Sequence, residues 1–109
     1  MVGQPFRVSF SRKFRDRLKE IYDYTRRSAS PAVATKVLNG IREEAQKLEK
    51  LPSSRPIYPG SEPLESEVRY TSVWSYKIIF EVIPSQMLVR ILTIRHDAED
   101  PETVLGDLE

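Results

Sequence analysis

Apolar and polar residues alternate near the start of the chain and again over its last third. Residues 6–10 read FRVSF, and this period of two predicts a short strand with one buried face. Residues 67–71, 76–83 and 87–96 also favour strands, and the last two segments are rich in β-branched side chains. Pro84-Ser85-Gln86 between those two predicts a turn. The middle of this region is apolar on both sides, which is typical of a covered central strand.

Between the first two predicted strands, apolar residues recur at the spacing of amphipathic helices. We predict a first helix over residues 12–27, capped by Ser11, because one face is apolar throughout. That face carries Phe14, Leu18, Ile21, Tyr22 and Thr25. A second helix begins at Ser30-Pro31 and runs to about Lys50, where Leu51-Pro52 ends it. Because the link between them is only about three residues long, the two helices should form an antiparallel hairpin.

The predicted order is β-α-α-β-β-β, which places the chain in the α+β class. A helical hairpin packed on one face of a small, mostly antiparallel sheet is the simplest way to bury both apolar layers. The first strand is expected to pair in parallel with a late strand after the helical crossover. Residues 52–65, rich in proline and serine, form the loop between helices and sheet. We expect residues 1–96 to form this domain and residues 97–109 an acidic C-terminal tail.

The net charge of +1 hides an uneven distribution of charge along the 109 residues. Residues 97–109 carry six acidic and no basic side chains, so residues 1–96 hold all 17 basic side chains against ten acidic ones. The acidic tail is either a solvated terminus or a segment that masks a basic surface.

Composition also limits the chemistry. The sequence has no cysteine and one histidine, which argues against disulfides, thiolate zinc sites and multi-histidine metal sites. We therefore expect no cofactor and no bound metal. The sequence has neither an apolar run of about 18 residues nor a secretory signal pattern. We expect a cytoplasmic protein that makes no membrane contact.

Several sequence features, weak one by one, are informative by their order and spacing. They are the series Phe14, Leu18, Ile21 and Tyr24, the opening Ser30-Pro31-Ala32 of a helix that ends in Leu48 and Pro52, Arg69 followed by YKIIFEV at 76–82, and MLVRILTIRH at 87–96. Over about residues 5–97 this set resembles the RelE/ParE superfamily of bacterial type II toxins, and among them the ParE-like plasmid-stabilisation toxins. The resemblance implies the fold predicted above and a small toxin whose gene lies beside that of an antitoxin protein that wraps it.

The superfamily contains two functional classes. RelE-like and YoeB-like toxins cleave mRNA in the ribosome, whereas ParE-like toxins inhibit DNA gyrase and have no known nuclease chemistry. Cleavage through the 2′-OH needs a base, a cation on the phosphate and an acid. By resemblance to YoeB-like toxins, Glu62 would be the base, Lys77 the phosphate-binding residue and His96 the acid. Further positive charge would come from Arg55, Arg69 and Arg95.

Each of these candidates also has a purely structural interpretation. His96 would then be a strand-end residue, Glu62 a solvated loop carboxylate and Lys77 an outward charge on a strand. Arg69 would bridge strand and loop. Trp74 and Tyr76, whose rings could otherwise stack on RNA bases, would lie in the core or at the sheet edge.

This sequence departs from the ribonuclease pattern at several positions. Asp97 stands where YoeB-like toxins have tyrosine, and Lys77 replaces an arginine that contacts phosphate with two nitrogens. Residues 52–65 contain one arginine and no lysine, whereas RelE-like toxins carry a lysine cluster there. These departures favour a toxin that inhibits DNA gyrase by binding. The alternatives are a ribosome-dependent mRNA endoribonuclease, and a chain that only assists its antitoxin in transcriptional autoregulation and touches DNA through that partner.

All three functions need a surface for the antitoxin. An acidic antitoxin segment is expected to contact the basic first helix, and a helix in a groove or an added strand would cover apolar surface. The candidate contact residues are Arg12, Arg15, Phe80, Val82, Leu88 and Ile91.

Overall fold

The computed structural model describes residues 4–61 and 67–98 and has the predicted order of elements. The helices and strands are β1 (Arg7–Phe10), α1 (Arg12–Ser28), α2 (Pro31–Gln46), β2 (Glu67–Val73), β3 (Tyr76–Ile83) and β4 (Leu88–His96). Short 3₁₀ turns follow α2 and join β3 to β4. The predicted α+β class and the β-α-α-β-β-β order are therefore confirmed. None of the helices in the described ranges is long and apolar enough to cross a membrane.

Serine caps fix the start of both helices. The Ser11 hydroxyl accepts a hydrogen bond from the Phe14 amide at 3.1 Å and donates one to the Leu92 carbonyl at 2.6 Å. The Ser30 hydroxyl accepts from the Val33 amide at 3.1 Å, and a proline occupies the first helical position after it. These caps satisfy amides that a helix leaves without partners, and the bond to Leu92 also ties α1 to β4.

The four strands form one sheet in the order β1-β4-β3-β2. β1 pairs with β4 in parallel, as predicted, and the other two pairings are antiparallel. The β3–β4 pairing shifts by one residue partway along. Phe80 lies opposite Ile91 but Ile79 lies opposite Thr93, so Leu92 is an extra residue, a β-bulge.

The helical hairpin covers one face of the sheet, and the main core lies between the two layers. Its fully or nearly fully buried residues include Phe14 and Leu18 of α1, Ile41 and Ala45 of α2, and Ile78, Phe80, Val82, Val89, Ile91 and Ile94 of the strands. Three of the residues expected to contact an antitoxin, Phe80, Val82 and Ile91, are thus core residues. The helices cover the sheet face to which these side chains point, so a direct antitoxin contact at these three positions stays a prediction that their burial does not favour.

The loop before β2 covers part of the other sheet face. Tyr58 is fully buried there against Val68 and Ile79. Its amide donates to the Val68 carbonyl at 3.0 Å, and the Tyr70 amide donates to the Pro56 carbonyl at 3.1 Å. The loop therefore runs along β2 and covers part of this edge strand, which would otherwise expose unpaired amides.

Candidate functional site

Lys77 and Arg95 lie on the sheet face that points away from the helices. The Lys77 ammonium donates a hydrogen bond to the Asp97 carboxylate at 2.7 Å and lies 5.7 Å from the centre of the Tyr70 ring. The hydrogen bond from Lys77 lowers the pKa of Asp97 below its ordinary value. The predicted phosphate-binding lysine therefore already holds a carboxylate, and a phosphate would have to displace it.

Arg95 is only 7% exposed on the same sheet face. Its guanidinium lies 5.7 Å from the Tyr58 ring and donates to the His96 carbonyl at 3.1 Å. These contacts join the loop before β2 to the end of β4. Because the group is covered, it is poorly placed to receive a phosphate from solution.

His96 lies on the opposite, helix-covered side of the sheet. Its ring packs edge-on against Tyr76 with the centres 5.3 Å apart. Its Nδ1 accepts the Ala98 amide at 3.1 Å. Together with Arg17 and Tyr24 of α1, it lines an open groove where β4 ends beside that helix. The predicted acid and the predicted phosphate-binding lysine therefore point to different sides of the sheet.

The bulge at Leu92 is the reason for this separation. Before the bulge, β3 and β4 pair as Phe80 with Ile91, and after it they pair as Tyr76 with His96. Since side chains alternate between faces, one extra residue reverses the face of every later residue in β4. An unbulged β4 would place His96 on the same face as Lys77.

Arg69 lies within an ion-pair and hydrogen-bond network at the β2 edge. Its Nε–H donates to the Glu67 carboxylate and its Nη1–H to the Arg55 carbonyl. Burial opposes ionisation of Glu67, but the hydrogen bonds from Arg69 and Ser53 outweigh it and lower the Glu67 pKa. These contacts match the structural interpretation, in which Arg69 bridges strand and loop.

A second part of this network joins β2 to the helices. Glu44 of α2 accepts a hydrogen bond from the Thr71 hydroxyl at 2.6 Å, and the Arg55 guanidinium lies 3.5 Å from the same carboxylate. Arg55 is thus engaged as well. Glu62 lies outside the described residues. Among the described residues, the candidate cation and the candidate acid of the ribonuclease set do not lie together. The same residues contain no group of three side chains that could hold a metal ion.

The outer side of the helical hairpin carries a groove with a different character. Its lining residues are Arg15, Leu18, Lys19 and Tyr22 of α1 and Leu38 and Arg42 of α2. The floor is apolar and all three charged residues are basic. Arg15 is one of the predicted antitoxin contacts, and Arg12 is exposed at the start of the same helix. Leu88, the remaining candidate, is half-buried on a strand.

Sequence reasoning did not single out Arg42 or Leu38 for this groove. The signal was present, because Leu38 and Arg42 are four residues apart and so share one side of α2. The sequence does not show which side of α2 faces α1.

Trp74 is the other exposed feature of note. It opens the two-residue turn between β2 and β3, has a φ of 54° and is 54% exposed. Its indole lies over Gly40 of α2, with the Lys36 ammonium 5.8 Å from the ring centre. The turn rests on the helix because glycine leaves room for the ring.

The family model for the ParE toxin of the type II toxin-antitoxin system parDE matches residues 8–101. The chain belongs to the ParE toxin family. No curated protein matches it closely enough to add to this. Most of the acidic tail lies beyond the matched region of this ParE-family chain.

Solved structures share its fold. The chromosomal ParDE system from P. aeruginosa aligns with a TM-score of 0.71 and 23% identity, over 86% of this chain and 98% of the other. A mutant of E. coli toxin RelE in the free state aligns with a TM-score of 0.66 and 9% identity, over 95% and 94%. The RelBE2 toxin-antitoxin complex from Mycobacterium tuberculosis aligns with a TM-score of 0.57 and 16% identity, over 88% of this chain and 95% of the other. The family match makes the protein a toxin of a type II toxin-antitoxin system, and the shared fold is that of the ParE/RelE group.

Proposed function

We propose that this ParE-family toxin inhibits DNA gyrase by binding it and carries out no nuclease chemistry. The observation that supports this most strongly is the separation of the ribonuclease candidates. Lys77 holds Asp97 on one side of the sheet, while His96 lies beside α1 on the other. Cleavage of RNA needs a phosphate cation and a proton donor within hydrogen-bond reach of one phosphate. Side chains that project from opposite faces of the sheet are poorly placed to meet one phosphate, which supports binding rather than cleavage.

We further propose that a cognate antitoxin neutralises the toxin. Two of the structural relatives are described as a ParDE system and a RelBE2 toxin-antitoxin complex. On this chain, Arg12 and Arg15 are exposed on α1 and offer contacts to an acidic antitoxin segment. The toxin is expected to meet DNA only through that partner.

A supercoiling assay tests the proposed target. Purified toxin is titrated against gyrase and relaxed plasmid, and supercoiling should fall as toxin is added. Lys77→Ala and His96→Ala should inhibit as strongly as the unaltered chain, because neither side chain would perform chemistry. Full supercoiling at a large molar excess of toxin would overturn the proposal.

The ribonuclease alternative predicts a different outcome. In a translation extract, primer extension would then give mRNA cuts in register with codons, and His96→Ala would abolish them. Expression of the chain without its antitoxin distinguishes the two toxin functions from a role in autoregulation alone, because only a toxin would arrest growth. Growth arrest is expected, with a DNA-damage response rather than an immediate stop in translation.

A further inference from the structure

We infer that the acidic segment formed by residues 99–109 of this chain docks in the basic-rimmed groove between α1 and α2. The groove floor is formed by Leu18, Tyr22 and Leu38, and its rim by Arg15, Lys19 and Arg42. In the part of the chain that the structure describes, no carboxylate is ion-paired with any of these three cations.

The segment matches the groove in charge and in apolar content. Residues 99–109 read EDPETVLGDLE, with five acidic side chains and no basic one. Val104, Leu105 and Leu108 provide apolar groups between the acids. A ligand of this composition can place leucine side chains on the groove floor while its carboxylates meet the rim.

The length of chain suffices to reach the groove. β4 ends beside α1, since His96 lines the same surface groove as Ile21 and Tyr24 of that helix. The groove between the helices lies on another side of α1, so the segment must cross a helix about 10–12 Å wide. Five extended residues, 99–103, span up to about 17 Å. Val104 is therefore the first residue that can enter the groove.

Attachment to the same chain makes docking possible even with weak contacts. A short tether gives an effective concentration on the order of millimolar, so a segment of only millimolar affinity would occupy the groove about half the time. The charge contacts are on the surface, so salt should weaken docking. Docking is independent of the identity of the toxin's target.

Nuclear magnetic resonance with one spin label tests the inference directly. The chain has no cysteine, so Gly106→Cys gives a single attachment point for a nitroxide in the full-length protein. Amide signals of α1 and α2 around Leu18, Tyr22 and Leu38 should broaden strongly, and 0.5 M salt should restore them. Signals of the loop around Tyr58, which covers the sheet face away from the helices, should broaden least. Absence of broadening at the groove, or equal broadening everywhere, would overturn the inference.

Charge reversal supplies the matched control. Lys19→Glu with Arg42→Glu should reduce the broadening at the groove by about half or more, whereas Arg7→Glu, on β1 outside the groove, should leave it unchanged. Undiminished broadening in the double variant would contradict docking by charge. Labelled chain mixed with unlabelled, isotope-enriched chain tests the alternative occupant. Broadening in that mixture would mean that the segment binds a second copy, which also overturns docking within one chain.

Discussion

Replacing Phe80 with alanine tests whether the apolar side chains of β3 and β4 stabilise the core or contact a partner protein. Phe80 is 0% exposed between the sheet and the helices. Truncating a buried phenylalanine to alanine costs about 3–5 kcal/mol, because transfer energy is lost and a cavity is left. A domain of this size loses about 4–8 °C of melting temperature per kcal/mol, so the expected drop is about 12–40 °C.

Because such a loss approaches the whole stability of a small domain, a milder variant is needed beside it. Ile91→Val removes one buried methylene at a position that is also 0% exposed. The expected cost is about 0.5–1.5 kcal/mol, and the variant stays folded at room temperature. Thermal unfolding followed by circular dichroism gives the change in stability, and titration with the antitoxin at room temperature gives the affinity.

A core variant should change the melting temperature but not the antitoxin affinity, and a surface variant should do the reverse. Ile91→Val should lower the melting temperature and leave antitoxin affinity unchanged. Arg15→Ala on the exposed side of α1 should keep stability within about 0.5 kcal/mol and weaken the complex. If Ile91→Val melts with the unaltered protein but loses the antitoxin, the side chain lies on a contact surface. The assignment of this sheet face to the core would then fail.

Three further predictions concern the fold around the site. Folding lowers the pKa values of Glu67 and Asp97, so the stability that these carboxylates contribute is present above their unfolded pKa values and is lost as the pH falls through the folded ones. In urea titrations from pH 7 to pH 3, Glu67→Gln should make the stability fall less with pH than in the unaltered protein, and an equal fall would contradict this. Gly40→Ala would place a Cβ 2.4 Å from the Trp74 Nε1, so the indole must move; the fluorescence of the sole tryptophan should change, although alanine adds about 1 kcal/mol of helix propensity, and an unaltered spectrum would count against this packing. Thr71→Val loses a hydrogen bond to a carboxylate and should cost about 1.5–3 kcal/mol in chemical unfolding, whereas Thr71→Ser should retain most of it; equal losses would refute this role of the hydroxyl.

The elements were predictable from the sequence because their signals are local. Ser11 and Ser30-Pro31 cap the two helices where the pattern places them, and β3 spans the predicted residues 76–83. The end of α2 differs more. The α-helix stops at Gln46 and the chain continues as a 3₁₀ turn to Glu49, so the apolar spacing persists beyond the last α-helical residue.

Which strand side chains reach a partner was not predictable in the same way. β3 and β4 are apolar on both faces, and alternation alone does not say which face the helices cover. Phe80 and Ile91 point to the helices, whereas Ile79 packs under Tyr58 on the other face. The loop that supplies Tyr58 was expected only as a connection, because a proline-rich segment without periodicity does not reveal what it covers.

The ribonuclease candidates Lys77 and His96 lie on different faces of the sheet because β4 contains one extra residue, Leu92. Burial of the Ile94 side chain explains this extra residue. Without the bulge at Leu92, the alternation would turn Ile94 away from the helices and place Arg95 against the core. With it, Ile94 is fully buried in the main core and Arg95 packs on Tyr58 instead. A buried guanidinium needs polar or aromatic partners, and the bulged register gives Arg95 the Tyr58 ring and the His96 carbonyl, which the apolar core would not offer. The same shift moves His96 to the side of α1 and away from Lys77. Burial of Ile94 in the core thus accounts by itself for the position of this histidine.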